Sequence, residues 1–179
     1  MLNFEIKKSG RKCYKSEREF QPGDEFYSML IDCQDGSTER RDYGIDHWEG
    51  PSEDCIGWWR ARVPDLGKGR VFWAPKNVLL AYFEHVQNRP ETVDLAFVTG
   101  LLLVQKKILS ILDENDSAEN LVLYCRSKKA TYTLPVVEIS SKRLQEIQDE
   151  LSERLFMDQP IEDEAGEDDS QDSESDPEE

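Results

Sequence analysis

The sequence predicts an α+β fold, on three observations. An Asp35-Gly36 turn joins two strand-like runs near the N-terminus. A dense apolar stretch with helical spacing fills residues 90–112. A second hairpin pattern is then followed by a narrow amphipathic helix pattern. Taken in order, these give an N-terminal β-rich, ribbon-like module, a central antiparallel helix pair, a second β-hairpin, a C-terminal amphipathic helix and an acidic tail expected to be disordered. The expected divisions are residues 1–73, residues 74–157 packed with them, and the tail at 158–179.

Residues 25–33 carry Phe26, Tyr27, Met29, Leu30 and Ile31 and read as a strand. Gln34, Asp35, Gly36 and Ser37 make the turn, and residues 38–43 return; Asp-Gly between two such runs is a hairpin signal. Gln21, Pro22, Gly23 and Asp24 form an earlier turn. Two short segments flank the hairpin, Cys13-x-x-Ser16 on one side and Gly44-x-x-His47 on the other.

That layout resembles a zinc ribbon or treble clef, in which a CxxC knuckle, a hairpin and a second ligand pair follow one another. The resemblance implies four metal ligands. Only Cys13 and His47 stand at ligand positions, because Ser16 and Gly44 occupy the other two. The expectation is a ribbon that has lost its metal and binds no cofactor. An ordinary hairpin, or a surviving site completed by Cys33 or Cys55, are the alternatives. Arg40, Arg41, Asp42 and Tyr43 with Trp48, the run Ile56 to Arg60 with Pro64, and Asn77 to Leu80 with Tyr82 and Phe83 are also similar to a group of uncharacterised bacterial proteins. No activity is assigned to that group, so this resemblance implies no catalytic residues.

Residues 56–63 form an aromatic–basic segment with Trp58, Trp59, Arg60 and Arg62, followed by a flexible link and then Arg70 to Trp73. Two readings apply. The tryptophans are either a recognition surface rimmed by arginines, or the glue between the β module and the helices. Large aromatics dominate core burial, which favours glue. The recognition reading supplies the candidate partner-binding residues: Trp58, Trp59, Arg60 and Arg62.

The first helix is expected at residues 77–86, with Val78, Leu79, Tyr82, Phe83 and Val86 on its apolar face and His85 at its boundary. Pro90 suits the first position of the central helix, where a missing N–H is no loss. Glu91 and Asp94 suit the positive end of its dipole, and Lys106 and Lys107 the negative end. Leu95, Val98, Leu102 and Leu109 recur at helical spacing, and Leu101, Leu103 and Val104 widen the stripe until it nearly encircles the helix. Such a helix is buried on most sides. Its apolar run, residues 95–104, is far short of the roughly 20 residues that cross a membrane. Gly100 suits close approach of another element. Residues 121–126 and 131–139 form the second hairpin, and Pro135 places its strand at an edge. Ser141 is the expected cap of a last helix with Leu144, Ile147, Leu151 and Leu155 on one stripe.

Residues 158–179 carry 12 of the 38 acidic residues and none of the 22 basic ones, so the overall charge of −16 is mostly tail. A tail so poor in apolar residues cannot bury enough surface to fold. No part of the chain has the basic face that DNA binding needs. The four cysteines form no CxxC, which suits reduced thiols in the cytoplasm, and no signal-peptide pattern opens the chain. No phosphate loop, HExxH or GxSxG motif occurs. Cys125, on a strand, is expected to be packed rather than nucleophilic. The expectation is therefore a cytoplasmic, non-enzymatic protein-interaction module with a protein partner, free of membrane and specific DNA binding. The alternatives are a small metal-binding protein or enzyme using Cys13 and His47, and an acidic tail that engages a basic partner.

Overall fold

The computed structural model describes residues 11–65, 70–112 and 119–161. The fold is α+β, as the sequence predicts. In order, the strands and helices are β1 (Glu25–Asp32), β2 (Thr38–Gly44), β3 (Cys55–Arg62), β4 (Phe72–Trp73), α1 (Lys76–Gln87), α2 (Val93–Gln105), β5 (Ser110–Ile111), β6 (Asn120–Cys125), β7 (Ala130–Pro135), α3 (Ser141–Leu155), β8 (Phe156–Met157) and β9 (Gln159–Pro160). Among the described residues the strands form a sheet of order β2-β1-β3-β9, a pair β4-β8 and a sheet of order β5-β6-β7. No helix among them is long and apolar enough to cross a membrane.

The first hairpin turns where Asp-Gly predicts. Gly36 has a φ of +86°, open to glycine at little steric expense. The Asp35 carboxylate accepts from the Ser37 N–H at 2.9 Å and from its hydroxyl at 2.6 Å. The antiparallel register then sorts the side chains. Phe26 lies opposite Ala61, Ser28 opposite Trp59, and Leu30 opposite Gly57, all on the inner face. Glu25 lies opposite Arg62, Tyr27 opposite Arg60, and Met29 opposite Trp58, on the outer face. Helix α1 packs on the inner face, with Val78 against Gly57.

Helix α2 is the centre of the core, but it is shorter than the apolar stretch at residues 90–112. A 3-10 turn at Pro90–Thr92 leads in, and the helix ends at Gln105. Lys107 then takes a φ of +58°. The Lys107 N–H donates to the Val104 carbonyl and the Ile108 N–H to the Leu103 carbonyl, both at 2.9 Å. This pair of bonds is a Schellman ending, with lysine where glycine is usual. The expected helix over 90–112 is corrected accordingly. Leu109 is buried, as its spacing implies, but it lies beyond the reversal and just before β5.

Buried residues of α2, among them Leu95, Val98, Leu102 and Leu103, share one cluster with Phe26, Leu30 and Trp59 of the first sheet. The same cluster takes in Tyr82 and Phe83 of α1, Leu123 and Leu134 of the second hairpin, and Ile147, Leu151 and Leu155 of α3. Gly100 sits where a Cβ would lie 2.9 Å from Leu134 Cδ1 and 3.0 Å from Leu123 Cδ1, so its bareness lets α2 approach that hairpin. The cap of α3 is Ser140 rather than Ser141. Its hydroxyl accepts from the Arg143 N–H at 3.3 Å, and the Arg143 side chain reaches Asp94 of α2 at 2.6 Å.

The folded chain continues past the expected boundary at 158. Arg11 and Arg40 both donate to the Phe156 carbonyl, Arg11 also lies 3.4 Å from Asp158, and β9 pairs with the end of β3. Residues 158–160, expected in the tail, therefore pack on the fold. The rest of the expected tail, 162–179, lies outside the described residues.

Two outcomes follow. Leu102→Ala is expected to cost about 2–5 kcal/mol in a denaturant titration, because its side chain is enclosed on every side. Lys107→Gly is expected to stabilise by about 1 kcal/mol, because the left-handed conformation opposes a Cβ. An unchanged midpoint for Leu102→Ala would mean that α2 is not the core.

Candidate functional site

The outer face of the first sheet, opposite the helices, gathers aromatic side chains. The Tyr27 and Trp48 rings stack with centroids 4.6 Å apart, and Trp58 tilts against both, at 5.9 Å and 5.7 Å. Tyr43 joins Trp48 at 5.7 Å and Tyr14 at 5.8 Å. Underneath lies a small second core of Met29, Ile31 and Tyr43. The rings above it reach solvent, with Tyr14 51% and Trp58 38% exposed.

Guanidinium groups border this cluster. Arg41 lies 4.4 Å over the Tyr14 ring and Arg60 lies 5.8 Å over Tyr27. Glu25 accepts from Arg62 and Arg60, and these hold its carboxyl below the ordinary range. Arg41 does the same for Glu39 at 2.9 Å, and Lys15 pairs with Glu49. The cations of the face are thus largely matched by carboxylates. The arrangement offers flat apolar area and hydrogen-bonding rims, which suits recognition rather than acid–base chemistry.

The candidate residues divide. Trp58, Arg60 and Arg62 share the outer face, as alternation on β3 requires. Trp59 points the other way, is only 3% exposed, and has the Arg40 guanidinium 4.8 Å over its ring. Its place in the recognition surface is corrected, because adjacent strand residues face opposite sides. Tyr14, Tyr27 and Trp48 share the outer face with Trp58, over the buried Tyr43, and were not among the candidates. The available signal was β1 itself, apolar at both odd and even positions, which means that both of its faces are covered.

The two knuckle-like segments also meet. Cys13 is buried, and its sulfur accepts from the Gly44 N–H at 3.4 Å. Burial acts to raise the thiol's pKa, but hydrogen bonds from the Ser16 hydroxyl and from the N–H groups of Gly44, Ser16 and Lys15 outweigh it and lower it. The Tyr14 N–H donates to the Asp42 carbonyl at 2.7 Å, pinning one turn to the other. A Cβ built on Gly44 would lie 3.7 Å from His47 Nδ1 and 4.0 Å from Cys13 Sγ. The donor set present does not fit a structural zinc, since one thiol and one imidazole cannot close a tetrahedron. Among the described residues no three His, Cys, Asp or Glu side chains are grouped as ligands of one ion would be. Cys33 and Cys55 do not complete the site.

The remaining ionisable groups are tied to the fold. Asp42 lies on the inner face, accepting from Ser28 at 2.6 Å and Arg40 at 2.9 Å, and burial pushes its carboxyl up. His85 is half-buried with Nε2 3.6 Å from Asp32, and burial pushes its pKa down. Cys125 is buried and contacts the Ser127 hydroxyl at 3.3 Å. No protein-family model, curated protein or solved structure matches the chain.

The titrations fix a pH dependence. Glu25, Glu39 and Asp94 are all lowered by arginine partners. A lowered carboxyl stabilises the fold above its unfolded pKa and loses that contribution as pH falls through the folded value. Asp42 and Asp158, raised by burial, run the opposite way, so the contribution of one lowered carboxyl is read by difference. The stability that Glu25→Gln loses relative to the parent is expected to be largest at about pH 6 and to shrink toward about pH 3. A difference between parent and Glu25→Gln that grows on acidification would contradict the assignment.

Proposed function

We propose that this chain is a cytosolic, non-enzymatic protein-interaction module whose ribbon has lost an ancestral zinc site, and that the outer face of its first sheet receives a partner protein. The aromatic cluster of Tyr14, Tyr27, Trp48 and Trp58, with Tyr14 and Trp58 exposed and the other two half-buried, carries the reading. Tyrosine, tryptophan and arginine are the residues that concentrate binding energy at interfaces. Their rings also immobilise little side-chain entropy on contact.

A protein suits this face better than a nucleic acid. Arg60 and Arg62 share Glu25, Arg41 faces Glu39, and Lys15 faces Glu49, so among the described residues these cations of the face are matched rather than set in a row for a phosphate backbone. A cytosolic setting agrees with four free cysteines.

Trp58→Ala and Trp59→Ala separate recognition from stability. Trp58→Ala is expected to change stability by less than about 1 kcal/mol and to abolish retention of the partner on the immobilised full chain. Trp59→Ala, in the core, is expected to cost about 3–5 kcal/mol. The readouts are a denaturant titration and a comparison of the proteins each variant retains from cell extract. A partner held equally by parent and Trp58→Ala would remove the face from the account.

A further inference from the structure

The zinc-ribbon likeness implies four ligands, and this chain supplies two. We infer that the turns at residues 13–16 and 44–47 nevertheless keep the frame of a tetrahedral thiolate–imidazole metal site, with Ser16 and Gly44 at the two vacated ligand positions. Hydrogen bonds to the Cys13 sulfur bridge the turns where an ion would. This deepens the lost-zinc half of the proposed function and is independent of the recognition face.

Three observations converge on it. The first is Gly44. Its φ of −58° and ψ of 153° are open to any residue, so a side chain there meets no backbone strain. The nearest atoms to its Cβ position are His47 Nδ1 at 3.7 Å, Phe20 Cε1 at 3.8 Å and Cys13 Sγ at 4.0 Å. Two of those three are the metal donors this chain still has. A sulfur one bond beyond that Cβ can reach the ligand–ligand spacing of about 3.7 Å that metal–sulfur bonds of about 2.3 Å demand in a tetrahedron.

The second is Ser16. It lies inside the turn that starts at Cys13, so a cysteine at 16 would put a second thiol on the same turn as the first. The turn that brings it back is tight, with the Glu17 N–H on the Cys13 carbonyl at 2.8 Å and Glu17 at a φ of +56°.

The third is the mutual position of the turns. The Gly44 N–H on the Cys13 sulfur and the Tyr14 N–H on the Asp42 carbonyl hold them face to face. The 3-10 turn Ile45–His47 then sets the imidazole Nδ1 3.7 Å from the Gly44 Cβ position. An unrelated hairpin has no reason to bring the Cys13 and Gly44 ends of two separated x-x spacings together.

The test is a cobalt(II) titration of the full chain carrying Ser16→Cys and Gly44→Cys, under reducing conditions. The expected result is one cobalt per chain, with the intense visible bands of four-coordinate thiolate ligation and stoichiometric displacement by zinc. The parent chain is expected to show neither. Adding His47→Ala or Cys13→Ser to the double variant is expected to weaken binding by more than about 10-fold, since even outer-shell partners are worth that much. If the double variant is unfolded without metal, zinc must restore the parent's far-ultraviolet circular dichroism. A double variant that binds no cobalt, that binds it regardless of His47 and Cys13, or that zinc fails to refold would overturn the inference. One equivalent of zinc held by the parent would overturn the loss itself. Neither failure bears on the Trp58 experiment, which reads the recognition face alone.

Discussion

Helix α2 is apolar around most of its circumference, and one neighbour cannot cover such a helix. Its Leu95, Val98, Leu102 and Leu103 are all buried, in one continuous cluster. Helix α1 takes one side, the second hairpin approaches another at Gly100, and α3 closes with Ile147, Leu151 and Leu155. Helix α1 is then itself covered by the inner face of the first sheet, through Val78 on Gly57. The order of layers follows from the need to remove this one helix from water. At about 25 cal/mol per Å² of apolar area, that need outweighs any surface ion pair in the molecule.

Residues near the two ends of the described chain are drawn together by polar groups. Arg11 and Arg40 converge on the Phe156 carbonyl, Arg40 also holds Asp42 and Ser28, and Arg11 reaches Asp158. Removing one partner from such a network leaves the others desolvated and unmatched, which is far more damaging than the net value of the bonds suggests. The network therefore fixes where β8 and β9 lie more than it adds stability. With the inner face of the first sheet committed to the helices, the outer face is left with the aromatic cluster.

Much of this was legible in the sequence, and the exceptions have physical causes. Asp35-Gly36 announced its turn because only glycine readily takes that backbone conformation. Ile147, Leu151 and Leu155 announced the buried stripe of α3 by spacing alone. The end of α2 was hidden, because Lys107 occupies a left-handed position usually marked by glycine, and Leu109 keeps helical spacing after the helix has ended. Trp58 and Trp59 were read as a pair, whereas a strand sends neighbours to opposite faces. Strands of two residues, such as β4, β8 and β9, have no periodicity to detect. Cys13 and Gly44 were visible as parts of two spacings, but the Gly44 N–H on the Cys13 sulfur is a contact across the hairpin that only the folded chain displays.

The central claim is that the first sheet and the helices share one core built around α2. All four tryptophans lie at residues 48–73, whereas the helices span residues 76–155. Tryptophan fluorescence and far-ultraviolet circular dichroism therefore report on different halves. Followed together through a urea titration, they are predicted to give one transition with a common midpoint and slope. Two separated transitions, with fluorescence changing while the helices persist, would show that the sheet folds apart from α2 and would contradict the account.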